Sequence, residues 1–171
     1  MSGEGSDGTS PAEDLEAQRQ AGAILTIDLD AIVENWRTLS ALSGPTECSA
    51  VVKADAYGLG IDKVAPALWR AGALTFFVAH LSEAQHLRTL LPDAIIYVLN
   101  GLFPGTAPAY AAGKLRPVLG SVPEVGEWSE YCQGQARKLP AALHVDTGMH
   151  RLGLSLEDTV RLSESYRMLG F

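Results

Sequence analysis

Cysteine is almost missing from this chain of 171 residues: Cys48 and Cys132 stand alone, too few and too far apart for a disulfide framework. Both read as packed thiols. Histidine is nearly as scarce, and His80 and His86 have no partner at metal-ligand spacing. Without an H-E-x-x-H string or a Cys/His cluster, no metal site is expected. Apolar runs are short, none approaching the roughly 18 residues that would span a bilayer. The N-terminus has neither a basic start nor an apolar signal core, so the expected location is cytoplasmic. Basic residues number 13 against 20 acidic ones, a net charge of −7. No basic stripe suggests nucleic acid, and no basic amphipathic helix suggests a membrane surface. There is also no P-loop, no G-x-S-x-G and no G-x-G-x-x-G after the first strand, which leaves nucleotide, hydrolase and dinucleotide readings without a starting point.

The charge that exists is uneven. Residues 1–22 hold five acids (Glu4, Asp7, Glu13, Asp14, Glu16) against Arg19, and have almost nothing to bury. They are expected to be a disordered acidic tail, with the folded part over 23–171 only mildly acidic.

Beyond the tail, periodicity takes over. "LTIDL" predicts a short strand. Leu29, Ile32, Val33 and Trp36 then fall at helical spacing, with Leu39 continuing the stripe and Gly44-Pro45 ending it. Strand and helix alternate from there. "CSAVV", "LTFFVA", "AIIYVL", "LRPVL" and "AALHV" read as strands about 23 residues apart. The helices between them are expected over 62–71, from Ser82 (three residues before Gln85, a capping-box spacing), over 105–112, over 122–133 and over 156–169, the last stopped by Gly170. Near-continuous apolar strands joined by helices imply a parallel sheet covered by helices. Units this compact suit a TIM-type (β/α)8 barrel, with an open doubly wound sheet as the alternative. Only five βα units are present, so the barrel reading makes this an incomplete one with its later strands missing.

In a barrel, chemistry sits at the C-terminal ends of the strands. "VVKADAYGLG" puts Lys53 there, with Tyr57 four residues on in the following loop. A desolvated lysine amine is a nucleophile toward carbonyls. A lone strand-end lysine more often snorkels to solvent, and by itself Lys53 would be read that way.

The whole string changes the weighting. "AVVKADAYGLG" resembles the pyridoxal-phosphate attachment motif of alanine racemases, and "HVDTGMHRLGL" (144–154) is similar to a second segment of that family. The resemblance covers about 25–171. It implies that Lys53 bonds covalently to pyridoxal 5′-phosphate and moves the α-proton on one face of the substrate. It implies that Tyr57 holds the cofactor phosphate and that Arg151 binds near the cofactor's phenolic oxygen and takes the substrate carboxylate. Leu99, ending "YVLNG", would pack near the cofactor, although a strand-end leucine is usually core. His144 departs from the family, where many members carry a carbamylated lysine that supports the arginine. It would support Arg151 through a neutral imidazole or a bound anion, or be satisfied by backbone. Asp55, Asp146 and Thr147 are expected to shape loops, with Gly148 permitting a turn.

The function so implied is interconversion of L- and D-alanine, supplying D-alanine for peptidoglycan, in a family whose full-length members are homodimers. There the opposite-face base is a tyrosine from a C-terminal β-domain of the partner subunit. No such domain lies in these residues, so the isolated chain is expected to be inactive. A related serine or broad-specificity racemase, and a non-catalytic fragment, are the alternatives.

Overall fold

The computed structural model describes residue 16 and residues 19–165. The acidic-tail expectation therefore falls largely outside the described residues, as does the Gly170 helix stop.

Helix α1 (Leu29–Leu42) opens the fold, its N-terminus capped by the Asp28 carboxylate, which accepts from the Ala31 N–H at 3.0 Å. Leu29, Ile32, Val33 and Trp36 pack against the core as the spacing predicts. Leu39 does not: it is 58% exposed, because the helix has run past the surface that it covers. The expected "LTIDL" strand is absent, since residues 23–28 form no regular element and pair with no neighbour. Apolar alternation made that segment look like a strand, and Leu25 instead lies 77% exposed.

Five βα units follow. Strand β1 (Ala50–Val51) leads to a short helical turn, α2 (Lys53–Gly58), and to α3 (Ile61–Ala71). Strand β2 (Thr75–Val78) is followed by α4 (Leu81–Leu90), and β3 (Ile95–Val98) by α5 (Ala107–Ala112). Strand β4 (Arg116–Leu119) precedes α6 (Val122–Gly134), and β5 (Ala142–Leu143) precedes α7 (Leu156–Ser165). All the pairings are parallel, and the strand order is β1-β2-β3-β4-β5. That order decides between the two architectures. A doubly wound sheet reverses direction at a switch point, whereas a barrel adds each strand beside the last. The chain winds one way only.

The two sheet faces differ accordingly. Phe76, Val78, Ile96 and Val98 are at most 1% exposed, whereas Phe77 and Tyr97, which alternate with them, are half-buried. Val51, Phe77, Tyr97 and Arg116 form one cross-strand row on this second face. The Phe77 and Tyr97 rings stack at 5.0 Å, and Arg116 lies over Tyr97 while donating to its hydroxyl at 3.0 Å.

Buried side chains tie the units together. Trp128 is fully buried, donates to the Leu139 carbonyl and meets Tyr110 edge-on. The Arg88 guanidinium donates to the carbonyls of Leu91, Pro92, Ala94, Gly113 and Lys114, fastening the loops at the N-terminal ends of β3 and β4. Cys48 and Cys132 are both free thiols, and burial pushes the Cys132 thiol up despite a backbone donor at Leu139. Among the described residues, no helix is long and apolar enough to cross a membrane and no group of three or more acidic, histidine or cysteine side chains could hold a metal ion.

Candidate active site

Lys53 leaves β1 directly into α2, where the backbone turns left-handed. Ala54, Asp55, Ala56 and Tyr57 all have φ between 52° and 58°. Left-handed backbone costs L-residues roughly 1–2 kcal/mol each, and only one of the four, an aspartate, tolerates it readily. Such strain persists only where surrounding contacts over-determine it. Three do so here. The Asp55 carboxylate accepts from the Ile61 N–H at 2.7 Å, which joins the turn to the start of α3. This agrees with the loop-shaping role expected of it. The Ala56 side chain is buried in the core. The third contact comes from 29 residues away: Glu83 Oε1 accepts from the Ala54 N–H at 2.7 Å.

Glu83 does more than that. Its other oxygen accepts from the N–H groups of Ala79 at 2.8 Å and His80 at 2.9 Å. Burial works to raise this carboxyl, but the three backbone donors outweigh it and hold it below the usual carboxylate range. The expected capping box at Ser82 and Gln85 is therefore displaced. The cap lies two residues earlier, at His80, with Glu83 as its reciprocal residue, because α4 starts at Leu81.

The Lys53 side chain is half-buried, with Nζ at 6.0 Å from the Tyr57 ring centroid, and Tyr57 is 63% exposed. Leu99 and His144 sit elsewhere on the same sheet face and come together. They line a cavity of about 170 Å³ with Val118, Gly120, Glu124 and Gly153. The sheet register explains this, since Leu99 lies two residues past Tyr97 and Val118 two past Arg116. His144 continues β5 by its backbone, donating to Leu119 and accepting from Leu154. No hydrogen bond joins it to Arg151, which is exposed in the loop between β5 and α7.

That loop is organised by Asp146, whose carboxylate accepts from the N–H groups of Gly148 and His150, both at 3.0 Å, and meets the His150 ring at 2.8 Å. The backbone donors of His150 and Gly148, joined by the His150 ring, pull the carboxyl down to about 2 against a desolvation that opposes them. The expected loop-shaping aspartate is thus present, and Gly148 turns at φ +133°. His80 does find a partner, the Asn100 side chain at 3.2 Å, and His86 pairs with Asp62 at 2.6 Å.

Lys53, Tyr57 and Arg151 make no side-chain hydrogen bond or ion pair among the described residues. An amine, a phenol and a guanidinium in no hydrogen bond or ion pair among the described residues, all at one end of the sheet, suit an anionic ligand bearing a carbonyl: the amine for the carbonyl carbon, the others for the anionic oxygens. The donor set fits a phosphorylated aldehyde such as pyridoxal phosphate. Sequence spacing did not point to Glu83. The signal available for it was a glutamate at the third position of a helix that follows a strand.

Comparison with known proteins places these features in a family. Residues 27–170 match the family model described as alanine racemase, N-terminal domain. An alanine racemase from Methylobacterium sp. (strain 4-46) is 61% identical over 149 residues, covering 87% of this chain and 41% of the relative. A crystal structure of alanine racemase from Bartonella henselae with covalently bound pyridoxal phosphate superposes with a TM-score of 0.79 at 45% identity. It covers 83% of this chain and 40% of that one. A histidine racemase from Leuconostoc mesenteroides superposes with a TM-score of 0.74 at 30% identity, over 82% of this chain and 38% of that one. The chain spans about two fifths of the length of the curated relatives it matches.

Proposed function

The chain belongs to the alanine racemase N-terminal domain family, and from that premise we propose that it supplies the lysine side of a pyridoxal-phosphate-dependent amino-acid racemase acting on alanine. One observation carries the reading. Lys53 emerges from β1 with an amine in no ion pair among the described residues, on the same fold as a racemase whose structure holds the cofactor covalently.

Bound pyridoxal phosphate supplies an electron sink that makes the α-hydrogen of an amino acid removable. The chain's residues do the rest. The Lys53 amine fixes the cofactor and, once released, takes or returns the α-proton on one face. The Tyr57 hydroxyl donates to the phosphate. Arg151 would take the substrate carboxylate in its planar fork and would bind the phenolic oxygen of the cofactor. Leu99 would pack against the ring, and His144, which makes no hydrogen bond to Arg151, would reach it through a bound anion. Inversion needs proton exchange on the opposite face as well, and no residue here is assigned that task. The 171 residues alone are therefore expected to turn over little or no alanine. In the same reading the enzyme is a cytoplasmic homodimer that furnishes D-alanine for peptidoglycan, and residues 23–171 are its barrel portion behind an acidic tail.

A second reading has an observation behind it. The histidine racemase shares this portion of the fold, so these elements are compatible with amino-acid substrates other than alanine.

Adding pyridoxal phosphate to the purified chain tests the anchor. A visible absorption band that borohydride reduction locks onto Lys53, and that Lys53→Ala abolishes, is the expected result. A folded sample with no band overturns it and leaves a non-catalytic fragment. Robust D/L-alanine exchange by the same sample refutes the inactivity, and comparing alanine, serine and histidine in an assembled enzyme separates the two readings.

A further inference from the structure

We propose that Glu83 is a positioning residue for Lys53: its carboxylate, by joining the turn after β1 to the end of β2, sets where the lysine amine stands. The proposal rests on the reading of Lys53 as the cofactor anchor.

On its N-terminal side Lys53 follows Val52, whose N–H donates to the Phe77 carbonyl at 2.9 Å; on its C-terminal side the restraint comes from Glu83. Lys53 is the first residue of α2, and four left-handed residues follow it. The N–H immediately after it, that of Ala54, points to Glu83 Oε1 at 2.7 Å. The opposite oxygen is engaged by Ala79 and His80 at the end of β2. A single rigid group thus spans two neighbouring strand ends, and its own position is set by α4, whose third residue it is. Both oxygens are used, so an amide cannot replace the carboxylate in full. One of its two ends would present N–H to N–H.

A related arrangement recurs two units later, without a hydrogen bond to the preceding loop among the described residues. Glu124 is the third residue of α6 and accepts from the Gly120 N–H at the end of β4 at 2.9 Å. It also closes against Gly101 in the preceding loop, where an added Cβ would lie 2.5 Å from its carboxylate. In the first copy the preceding loop is the one that carries the lysine. Catalytic groups displaced by about 1 Å lose on the order of 100-fold in rate, so a backbone restraint adjacent to the reacting side chain has leverage.

The test uses the complete chain and two readouts: amide hydrogen exchange over residues 53–58, and the rate at which pyridoxal phosphate forms a borohydride-reducible adduct at Lys53. Glu83→Ala is expected to slow adduct formation by about tenfold or more and to speed exchange in the turn, with Glu83→Gln in between. Arg88→Lys, which loosens the carbonyl cluster at the opposite end of the sheet, is expected to lower the unfolding midpoint while leaving the Lys53 adduct rate within about twofold. An unchanged Lys53 rate in a folded Glu83 variant overturns the proposal, as does an equal loss in Arg88→Lys. If Glu83→Ala does not fold, Glu83→Gln decides. If the parent chain forms no adduct, the anchor reading fails, and exchange alone judges the restraint: turn amides that exchange no faster in the variants refute it.

Discussion

Gly153 illustrates how much of the second motif is backbone geometry. It sits at φ +112°, and a Cβ there would lie 2.7 Å from the Asp146 nitrogen and 3.1 Å from the His144 ring. Two penalties would meet in Gly153→Ala, left-handed strain and a collision with backbone that cannot swing aside. Together they are expected to cost about 2–4 kcal/mol. Urea unfolding reads this directly, and a change below about 0.5 kcal/mol would contradict the close approach. The motif's glycine was visible in the sequence, but its reason was not. It is needed because the strand carrying His144 and the returning loop run in contact. Lys53 and Tyr57 were legible as candidates because they lie four positions apart, so one local string displays both. Glu83 lies 29 residues from the N–H it holds, and spacing in a sequence does not register a bond between units.

Among the elements, the βα alternation was legible from β1 onward, since apolar strands and capped helices leave local marks, whereas "LTIDL" misled. The left-handed turn was not. Alanine, aspartate, alanine and tyrosine give no warning of four positive φ angles; tertiary contacts impose them. The loop between β5 and α7 offers a pH test of such imposed order. Its Asp146 carboxyl falls from an ordinary 3.8 to about 2. A depressed carboxyl stabilises the fold above its unfolded value and loses that contribution as pH falls through the folded one. Residues 146–151 are therefore expected to stay ordered above about pH 4 and to loosen progressively between about pH 4 and 2. Amide shifts of Gly148 and His150 report it, since both N–H groups bind this carboxylate. In Asp146→Asn the step between pH 4 and 2 disappears from those two signals. Its persistence would assign the titration to another group.

For the whole molecule, the barrel-type winding was readable from the spacing of the units, and the uneven covering of the sheet follows from it. Helices bury one face over β1 to β4, while Leu143 of β5 on that face is 42% exposed. On the other, Phe77 and Tyr97 remain half-buried and Val51 is 45% exposed. Among the described residues β1 pairs only with β2, and β5 only with β4, so the sheet has two open edges. Open edges beside an apolar face favour pairing with further strands, whichever chain provides them. The isolated 171-residue chain is accordingly expected to associate as its concentration rises, seen as a growing weight-average mass in sedimentation. Val51→Lys puts a charge on both the edge and the exposed face. It touches no described hydrogen bond of the Lys53 turn, and it should shift association to higher concentration while leaving the helical signal unchanged. A chain that stays monomeric at tens of micromolar, or a variant that associates equally well, would mean that this face is satisfied within the chain itself.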